Sequence, residues 1–366
     1  MATKDIYAVP QPDPSWSMPG SFDTIFNWEY DNGRDRLLNL YSKGKQKQWD
    51  AEVRIDWSIN VDPEDPLDVG DGYIPIHGSD MHAKMTKKEK GELRHHFEAW
   101  RFSNFMHGEQ GALICAAKIV QTVPDLDSKF YAATQVIDEA RHVEVYSRFL
   151  HEKLEMAYPI NQSLQTLLKQ TIQDSRWDFT YLGMQVLIEG LALASFGFIR
   201  DLAQNPLAAA INAYVMQDEA RHVAFGRLAL SDFYPQLTQA ERDEREEFVV
   251  EACYLMRDRF RGEEVWERLG LPVKECVGYM ESYDYQVARS KRLFTRIVPI
   301  IREIGLWGPQ VRKAYADMGI LDLAEADAMA LIENDERIAE DLDARNAYVA
   351  ETVAAGESGV TAPAGS

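Results

Sequence analysis

The sequence DEARH occurs twice in this chain, at residues 138–142 and at residues 218–222, and a valine follows each copy. A lone glutamate stands thirty residues before the glutamate of each copy, at Glu109 and at Glu189. In a helix, side chains three residues apart lie on one face, about 5–6 Å apart, so the Glu and the His of each copy point the same way. The repeat therefore predicts two equivalent helix pairs, each with two glutamates and one histidine.

Long stretches of helical periodicity surround these residues, and prolines divide them. Together with the capping residues, they predict helices over about 88–121, 126–157, 175–202 and 207–233. We expect residues 161–174 to form a return segment, because a single turn before the third helix would leave its glutamate out of level by roughly 16 Å. Such a long crossover is the one that ferritin-like four-helix bundles use.

The positions of the glutamates relative to the turns support this arrangement. Glu109 and Glu139 each lie fifteen residues from the turn at Pro124. At a rise of ~1.5 Å per residue, both are ~22 Å down an antiparallel hairpin. Around Asn205, Glu189 lies sixteen residues before the turn and Glu219 fourteen after it. Each hairpin therefore presents its carboxylates at one level.

The remaining sequence completes the predicted architecture. Residues 1–87 are rich in Pro, Gly, Asp and Trp, which predicts an extended arm that packs on the bundle through its aromatic side chains. The bundle itself occupies residues 88–233. Further helices occupy residues 234–353. The sequence predicts one over about residues 239–268, one over about residues 272–304 that is interrupted near Pro299, and a last, acidic and solvated one over about residues 321–353. A disordered tail follows at residues 354–366. The predicted fold class is thus all-α, a ferritin-like four-helix bundle with a long crossover, extra C-terminal helices and an N-terminal arm.

Composition narrows the classes of partner. The chain has 366 residues, is 46% hydrophobic and carries a formal net charge of -20, which argues against nucleic acid or an anionic membrane surface as a partner. Its three cysteines form no CxxC, so neither a disulfide framework nor a thiolate metal site is expected. The sequence shows no signal peptide and no run of about 18 uncharged apolar residues. We therefore expect a cytoplasmic protein that spans no membrane.

The repeats predict a site for two metal ions. Four carboxylates and two neutral imidazoles carry four negative charges, which balance two divalent cations. A carboxylate-rich site without thiolates suits Fe(II) or Mn(II) better than structural zinc. Without metal, four buried carboxylates would strongly destabilise the fold. The predicted ligands, which are also the predicted catalytic residues, are Glu109, Glu139, His142, Glu189, Glu219 and His222.

The aspartate and arginine of each DEARH copy are expected to support this site. Metal-bound histidines usually give their second N–H to a carboxylate. We expect Asp138 to reach the histidine of the second copy and Asp218 to reach that of the first. Arg141 and Arg221 would then neutralise the aspartates. The alternative is that these four residues are exposed helix charges.

Residues one and two turns from the ligands are expected to line a substrate pocket. They are Phe105, Ala112, Leu113, Tyr146, Gln185, Ala192, Leu193, Phe196 and Val215. Most are apolar, which indicates a largely apolar substrate, with Gln185 as a polar anchor. The alternative is that the same residues simply fill the core.

The two DEARH copies and the run Gly108-Glu109-Gln110-Gly111-Ala112 resemble the hydroxylase components of bacterial multicomponent monooxygenases and, more broadly, the ferritin-like di-iron oxidase and oxygenase superfamily. The resemblance implies that Glu109, Glu139 and His142 bind one iron, and that Glu189, Glu219 and His222 bind the other. It also implies an O2-dependent enzyme that hydroxylates, desaturates or N-oxygenates a small or medium organic substrate. The implied cofactor is Fe/Fe, with Mn/Fe as the alternative. The implied partners are an electron donor, such as a reductase or ferredoxin, and a second copy in a homodimer.

Three positions distinguish this chain from its relatives. The multicomponent hydroxylases carry a threonine where this chain has Leu193. The related p-aminobenzoate N-oxygenases add a histidine where this chain has Val215, which disfavours that group. Tyr146 occupies the place of the radical tyrosine in ribonucleotide reductase small subunits. A radical-generating subunit that uses Tyr146 and a non-catalytic iron-binding protein therefore remain as alternatives.

Overall fold

The computed structural model of the protein describes residues 6–10, 13, 15–30 and 33–358, apart from the side chains of residues 283 and 345–358. Every regular element in this described part is helical, and its only β pairing is an isolated bridge between Tyr7 and Ala157. The predicted all-α class is therefore confirmed. Residues 359–366 of the predicted tail lie outside the described residues.

The helices follow one another along the chain in three groups. The arm contains α1 (Asp35–Gln46), α2 (Ala51–Arg54) and α3 (Asp80–Lys84). The bundle contains α4 (Lys87–Thr122), α5 (Leu126–Phe149), α6 (Gln162–Gln173), α7 (Trp177–Tyr181), α8 (Glu189–Leu202) and α9 (Pro206–Phe233). The C-terminal part contains α10 (Gln239–Asp258), α11 (Glu263–Arg268), α12 (Val273–Met280), α13 (Tyr283–Leu293), α14 (Ile297–Glu303), α15 (Pro309–Asp317) and α16 (Ala328–Ser358).

Two π-helical segments modify the bundle helices. One, Leu150–Leu154, prolongs α5. The other, Leu182–Ile188, joins α7 to α8 in one continuous helix and ends directly before Glu189. Such segments are rare and frequently occur at functional sites, and the helical periodicity of the sequence did not reveal either of them.

Local sequence sets the ends of the bundle helices. Thr86 and Glu89 form a capping box at the start of α4. Asp125 accepts a hydrogen bond from the backbone N–H of Ser128 at the start of α5. Asn205 caps α9, whose first residue is proline. These side chains satisfy backbone N–H groups that the first helical turn leaves without partners.

The crossover has the predicted form. α4 packs along α5, and α8 packs along α9, so the chain makes two antiparallel hairpins. Between them, α6 runs back over Gln162–Gln173 and the third core helix begins at Trp177. The return segment thus brings Glu189 to the level of the other glutamates. Among the described helices, Trp177–Leu202 alone is long and apolar enough to cross a membrane, but 89% of its most apolar stretch is buried inside this bundle, so it is a core helix.

The C-terminal part is more broken than the sequence indicated. A single helix was expected over about residues 239–268. Instead α10 ends at Asp258, a 3-10 turn follows over Arg259–Arg261, and Gly262 adopts a φ of 65°. That left-handed conformation favours glycine and interrupts the helix. A second helix, expected over about residues 272–304 with an interruption near Pro299, is divided into α12, α13 and α14, and Pro299 lies inside α14.

The acidic helix α16 is packed, so the prediction of a solvated helix is wrong. Ile332, Asp335 and Ala339 are buried where α16 lies along α9. The Asp335 carboxylate accepts hydrogen bonds from Arg200 and Arg296, which supply the positive charge that a buried acid requires.

The other side of α16 contacts the arm through charged pairs. Arg54 bonds to Asp343 at 2.6 Å, and Lys47 bonds to Glu340 at 2.7 Å. Acidic residues of this helix therefore pair with basic residues of the arm. We call these contacts the arm–α16 contact.

Two glycine substitutions test the close packing of the bundle. A Cβ on Gly226 of α9 would lie 2.5 Å from Cβ of Gln185, whereas a Cβ on Gly108 of α4 would meet nothing within 4 Å. Gly226→Ala should therefore lower the free energy of unfolding by about 1–3 kcal/mol through overpacking. Gly108→Ala, the matched control, should raise it by about 0.5–1 kcal/mol through helix propensity. Urea unfolding of the metal-free proteins measures both, and equal midpoints would contradict the close approach of the two helices.

Candidate metal centre

The six predicted ligand residues come together at one level inside the bundle, and all of them are buried. α4 contributes Glu109, α5 contributes Glu139 and His142, α8 contributes Glu189, and α9 contributes Glu219 and His222. Each DEARH copy places its Glu and His on the inward face of its helix, as the three-residue spacing requires.

The glutamates surround the Nδ1 atoms of the two histidines. Nδ1 of His142 lies 3.1 Å from Glu219, 3.3 Å from Glu109 and 3.4 Å from Glu139. Nδ1 of His222 lies 3.1 Å from Glu139 and 3.6 Å from Glu219. Two groups of donor atoms, each mutually within 4.8 Å, could hold a metal ion. They are Glu109, Glu139, His142 and Glu219 in the first group, and Glu139, Glu189 and His222 in the second.

Two of the carboxylates face both histidines. Glu139 directs Oε2 toward His142 and Oε1 toward His222. Glu219 directs Oε1 toward His142 and Oε2 toward His222. Each of these two carboxylates therefore lies between the two histidines. The geometry differs from the division that the resemblance implied, because Glu219 lies nearer to the histidine of the first copy than to that of its own.

The aspartates are crossed between the two copies. Nε2 of His142 lies 3.2 Å from Oδ2 of Asp218, and Nε2 of His222 lies 3.3 Å from Oδ2 of Asp138. An Nε2–H that donates to a carboxylate leaves the lone pair of a neutral imidazole on Nδ1. Both histidines thereby present Nδ1 to the glutamates, in the tautomer that a metal ion needs.

The arginines of the repeat lie against these aspartates and are not exposed charges. Nη2 of Arg141 lies 2.5 Å from Asp138 and 2.8 Å from Asp218. Arg221 pairs with Asp218 and lies 3.9 Å from Asp138. Two guanidinium groups thus balance two buried carboxylates, and the supporting layer is electrically neutral by itself.

The arm completes this layer, which the sequence did not predict. Gln48 donates to Asp138 at 2.7 Å, and the indole N–H of Trp49 donates to Asp218 at 2.8 Å. Arg141 donates to Gln48 at 2.8 Å and lies 4.6 Å from the ring centroid of Trp49. The arm therefore fixes the aspartates that orient the histidines.

Burial and mutual repulsion give the carboxylates unlike proton affinities. Burial, followed by the nearby Glu219, raises the pKa of Glu109 and of Glu189 well above the usual value. Burial opposes ionisation of Glu139 as well, but His222 and His142 hold its pKa below the usual range. Burial disfavours the protonated histidines too, yet the surrounding carboxylates raise the pKa of both. Without metal, protons supply positive charge to this site.

The oxygen atoms that face the middle of the site need a cation. Oε2 of Glu139, Oε2 of Glu189 and both oxygens of Glu219 are buried without a hydrogen-bond donor among the described residues. Unpartnered buried carboxylate oxygens are costly. Four carboxylates and two Nδ1 atoms around this space fit two divalent ions of the Fe(II) or Mn(II) type.

Two glutamines connect the ligand helices. Nε2 of Gln135 lies 3.0 Å from Glu139 and 2.8 Å from Glu189. Gln185 donates in turn to Oε1 of Gln135 at 3.5 Å. The sequence contained a signal for Gln135, which stands one helical turn before Glu139. Gln185 thus contacts Gln135, which supports two of the ligands. It does not lie where it could anchor a substrate.

A cavity opens directly onto the glutamates, and we call it the inner cavity. Glu109, Glu189 and Glu219 form part of its wall. Four predicted pocket residues also line it, namely Phe105, Ala112, Ala192 and Phe196. The other five are not among the described residues that line it, and they are Leu113, Tyr146, Gln185, Leu193 and Val215.

These residues lie elsewhere because of how the helices rotate. Leu193 and Val215 are fully buried in the core, and Leu113 is half-buried. The ring of Tyr146 packs behind those of Phe105 and Phe196, and its hydroxyl donates to Asn212 at 3.3 Å. An aromatic wall therefore separates Tyr146 from the inner cavity.

Arg259 is a wall residue that sequence reasoning missed. It belongs to the 3-10 turn that Gly262 ends, so the single helix predicted over about residues 239–268 did not give its direction. The side chain is 9% exposed, and its guanidinium has no ion pair or hydrogen bond within the described part of the chain. Burial lowers the pKa of Arg259 to about 10. An unpaired cation therefore lies in the wall that also holds three glutamates.

Comparison with known proteins identifies the family. Residues 31–305 match the model of the family described as AurF, p-aminobenzoate N-oxygenase. The chain belongs to this family. It is an O2-dependent di-iron oxidoreductase of the ferritin-like di-iron carboxylate superfamily, and its cofactor is a pair of iron ions. Among the solved structures, an R2-like ligand-binding oxidase with an aerobically reconstituted metal cofactor matches with 18% identity and a TM-score of 0.39, over 80% of this chain and 93% of that one. No curated protein matches the sequence.

The family match corrects one interpretation of the sequence. The prediction that Val215 disfavours the p-aminobenzoate N-oxygenases, which have a histidine at this position, is wrong. Val215 is fully buried among apolar residues of α9. The six carboxylate and imidazole side chains surround the site without a third histidine. The broader prediction of a di-iron carboxylate oxidase is confirmed.

Asp218→Asn tests the crossed aspartates. The amide keeps the shape of the side chain but removes the charge that holds the Nε2–H of His142, so affinity for Fe(II) should fall about 10- to 100-fold. Anaerobic Fe(II) titration measures the change. Asp232→Asn is the matched control on the same helix, because that carboxylate lies at the surface and pairs with Arg34. Equal loss in the two variants would contradict a specific role for Asp218.

Proposed function

We propose that this enzyme N-oxygenates the amine of a small, largely apolar organic substrate that carries an acidic group. The observation that supports this most is the family match over residues 31–305, together with the inner cavity that reaches three of the site glutamates. Hydroxylation and desaturation, the other reactions that the sequence allowed, use the same oxidant but need no amine.

In this proposal the six residues that the repeats predict would hold the two metal ions. They are Glu109, Glu139, His142, Glu189, Glu219 and His222. When bound, the two iron ions supply the activation of O2, for which an external donor delivers two electrons. Asp138 and Asp218 keep both imidazoles in the Nδ1-binding tautomer, and Arg141 and Arg221 neutralise the aspartates.

The walls of the inner cavity select the substrate. The rings of Phe105 and Phe196 meet edge to face with centroids 4.7 Å apart, and Phe260 adds a third aromatic side chain. Such walls favour a flat apolar body and exclude water. Arg259 offers the only cationic group among the lining residues, which suits a carboxylate such as that of p-aminobenzoate. The acid at Arg259 would orient the amine toward the glutamates.

The remaining parts of the proposal follow from the resemblance and the composition. The electron donor is a reductase or ferredoxin, the enzyme is a homodimer, and its compartment is the cytoplasm. The cysteines Cys115, Cys253 and Cys276 are buried and free, which agrees with a reducing compartment.

Turnover of 4-aminobenzoate tests the reaction. The Fe(II)-loaded enzyme, mixed with O2 and a chemical reductant, should convert the amine into hydroxylamine or nitro products that liquid chromatography and mass spectrometry identify. Glu189→Ala should abolish product because a carboxylate of the metal site is lost. A ring-hydroxylated product in place of the N-oxygenated one would overturn the proposal. A tyrosyl EPR signal without product, absent in Tyr146→Phe, would favour the radical alternative.

Arg259→Met tests the acidic group of the substrate. Hydrogen bonds to charged groups contribute about 1.5–3 kcal/mol, so the KM for 4-aminobenzoate should rise about 10- to 100-fold. The KM for aniline, which has no carboxylate, should stay within about twofold. A matched control is Arg312→Met, an exposed arginine of α15. Equal effects on both amines would contradict a contact between Arg259 and the carboxylate.

A further inference from the structure

A further group of metal-binding side chains lies in the arm, apart from the six residues of the metal centre. Asp71, His77 and His82 each offer one ligand atom, and these three atoms lie within 4.8 Å of one another. The rings of the two histidines meet edge to face, with centroids 5.0 Å apart. We call this group the arm cluster.

The backbone holds the two histidines of the arm cluster close together. Gly78, between them, adopts a φ of 86°, a left-handed conformation that favours glycine. Ser79 then caps α3, because its hydroxyl accepts a hydrogen bond from the backbone N–H of His82 at 3.2 Å. The carbonyl of His77 accepts a hydrogen bond from the hydroxyl of Tyr279 in α12 at 2.9 Å. Both histidines are therefore fixed through their backbone.

His82 is the member of the cluster that needs a partner. The residue is 3% exposed, and its Nε2 is buried without a hydrogen-bond partner among the described residues. Oδ2 of Asp71 lies 3.5 Å from this nitrogen, beyond the range of a good hydrogen bond. A buried imidazole nitrogen without a partner costs free energy, and a cation bound between these two atoms would remove that cost.

Two basic residues of α4 contact Asp71 through different oxygen atoms. Arg94 donates to Oδ1 and also lies 3.9 Å from Asp65, so it has a second carboxylate to balance its charge. The contact with Arg94 leaves Oδ2 toward His82 and orients the carboxylate, as outer partners of metal ligands do. Lys90 lies 3.6 Å from Oδ2, and its side chain is 26% exposed. This ammonium group can therefore turn into solvent when a metal ion takes its place.

The donor atoms of the arm cluster select the kind of ion. Two imidazoles and one carboxylate form a set that binds Zn(II) through three protein ligands and leaves the fourth position to water. Mg(II) and Ca(II) prefer oxygen ligands, so two imidazoles disfavour them. His77 is exposed, so water reaches the cluster from its side.

We propose that the arm cluster is a second metal site, which binds one divalent ion of the Zn(II) type through Asp71, His77 and His82. Water completes the tetrahedral coordination. The ion fastens the two ends of the segment 71–82 to each other and displaces Lys90 from the carboxylate. The site is structural and is separate from the pair of iron ions.

The segment that this ion fastens reaches the neighbourhood of the inner cavity. Tyr73 and Pro75, which lie between two of the ligands, line an adjoining cavity. Phe105 and Phe260 line both that cavity and the inner cavity. Zinc thus holds in place a wall beside the metal centre and takes no part in the reaction with O2.

Zinc binding to the iron-loaded enzyme tests the site. The full-length protein is loaded with iron in air, so that Fe(III) is retained, and is then titrated with Zn(II) in competition with a chromophoric chelator. It should take up one zinc ion per chain while its iron content, measured by inductively coupled plasma mass spectrometry, stays constant. Zinc uptake that is absent, or that occurs only in exchange for iron, would overturn the proposal.

His77→Ala removes a ligand from the surface and leaves the packing of the arm intact. It should weaken zinc binding about 100-fold or more, since even the outer partners of metal ligands contribute about 10- to 100-fold. The matched control, His151→Ala, removes another exposed histidine and should leave the affinity unchanged. Equal affinities in the wild type and His77→Ala, or equal losses in the two variants, would show that zinc binds elsewhere.

Lys90→Met tests the displacement of the ammonium group. Zinc affinity should rise about threefold or more, because the positive charge beside Oδ2 of Asp71 opposes the ion. Lys88→Met removes an exposed charge from the same end of α4 and should change the affinity by less than about twofold. Unchanged or lower affinity in Lys90→Met would contradict binding at this carboxylate. These titrations contain no amine, so failure of 4-aminobenzoate turnover would leave their outcome intact.

Discussion

The burial of four carboxylates at one level of a helix bundle is the constraint on which the other features depend. Such a cluster is tolerable only when positive charge lies within contact distance, from metal ions or from protons. The raised pKa values of Glu109, Glu189 and both histidines express this need in the metal-free state. Folding and metal binding are coupled here, because the ions remove the repulsion that the fold creates.

The crossed aspartates convert this local constraint into an architectural one. Each histidine on one hairpin depends on an aspartate from the other, so neither hairpin has a complete support by itself. Gln135 adds a further link between the carboxylates of α5 and α8. The two halves of the bundle are therefore held together at the level where the ions would bind. The DEARH repeat encodes this dependence, because each copy supplies the aspartate that contacts the histidine of the other copy.

Much of this was readable from the sequence, because helical spacing and turn position determine which side chains share a level. The hairpins, the return segment and the six converging side chains follow from that arithmetic. Gln48, Trp49 and Arg259 did not follow from it, since they lie in irregular segments whose direction only tertiary packing fixes. The pocket was half right for a similar reason. Spacing placed Phe105 and Phe196 near the ligands, but helix rotation directed Leu193 and Val215 into the core. The prediction for α16 was wrong because its acidic composition indicated a solvent-exposed helix, whereas two arginines stabilise the buried carboxylate of Asp335.

The arm–α16 contact affects the order in which the contacts around the metal site form during synthesis. Gln48 and Trp49 support the aspartates, and Lys47 and Arg54, on either side of them, pair with Glu340 and Asp343 near the other end of the chain. A ribosome makes the arm before α16. The bundle helices and the arm can therefore assemble before α16 is present. The ion pairs between the arm and α16 form only after that helix has been made. Until α16 docks, the arm residues that cover the aspartates lack the ion pairs that α16 supplies on either side of them.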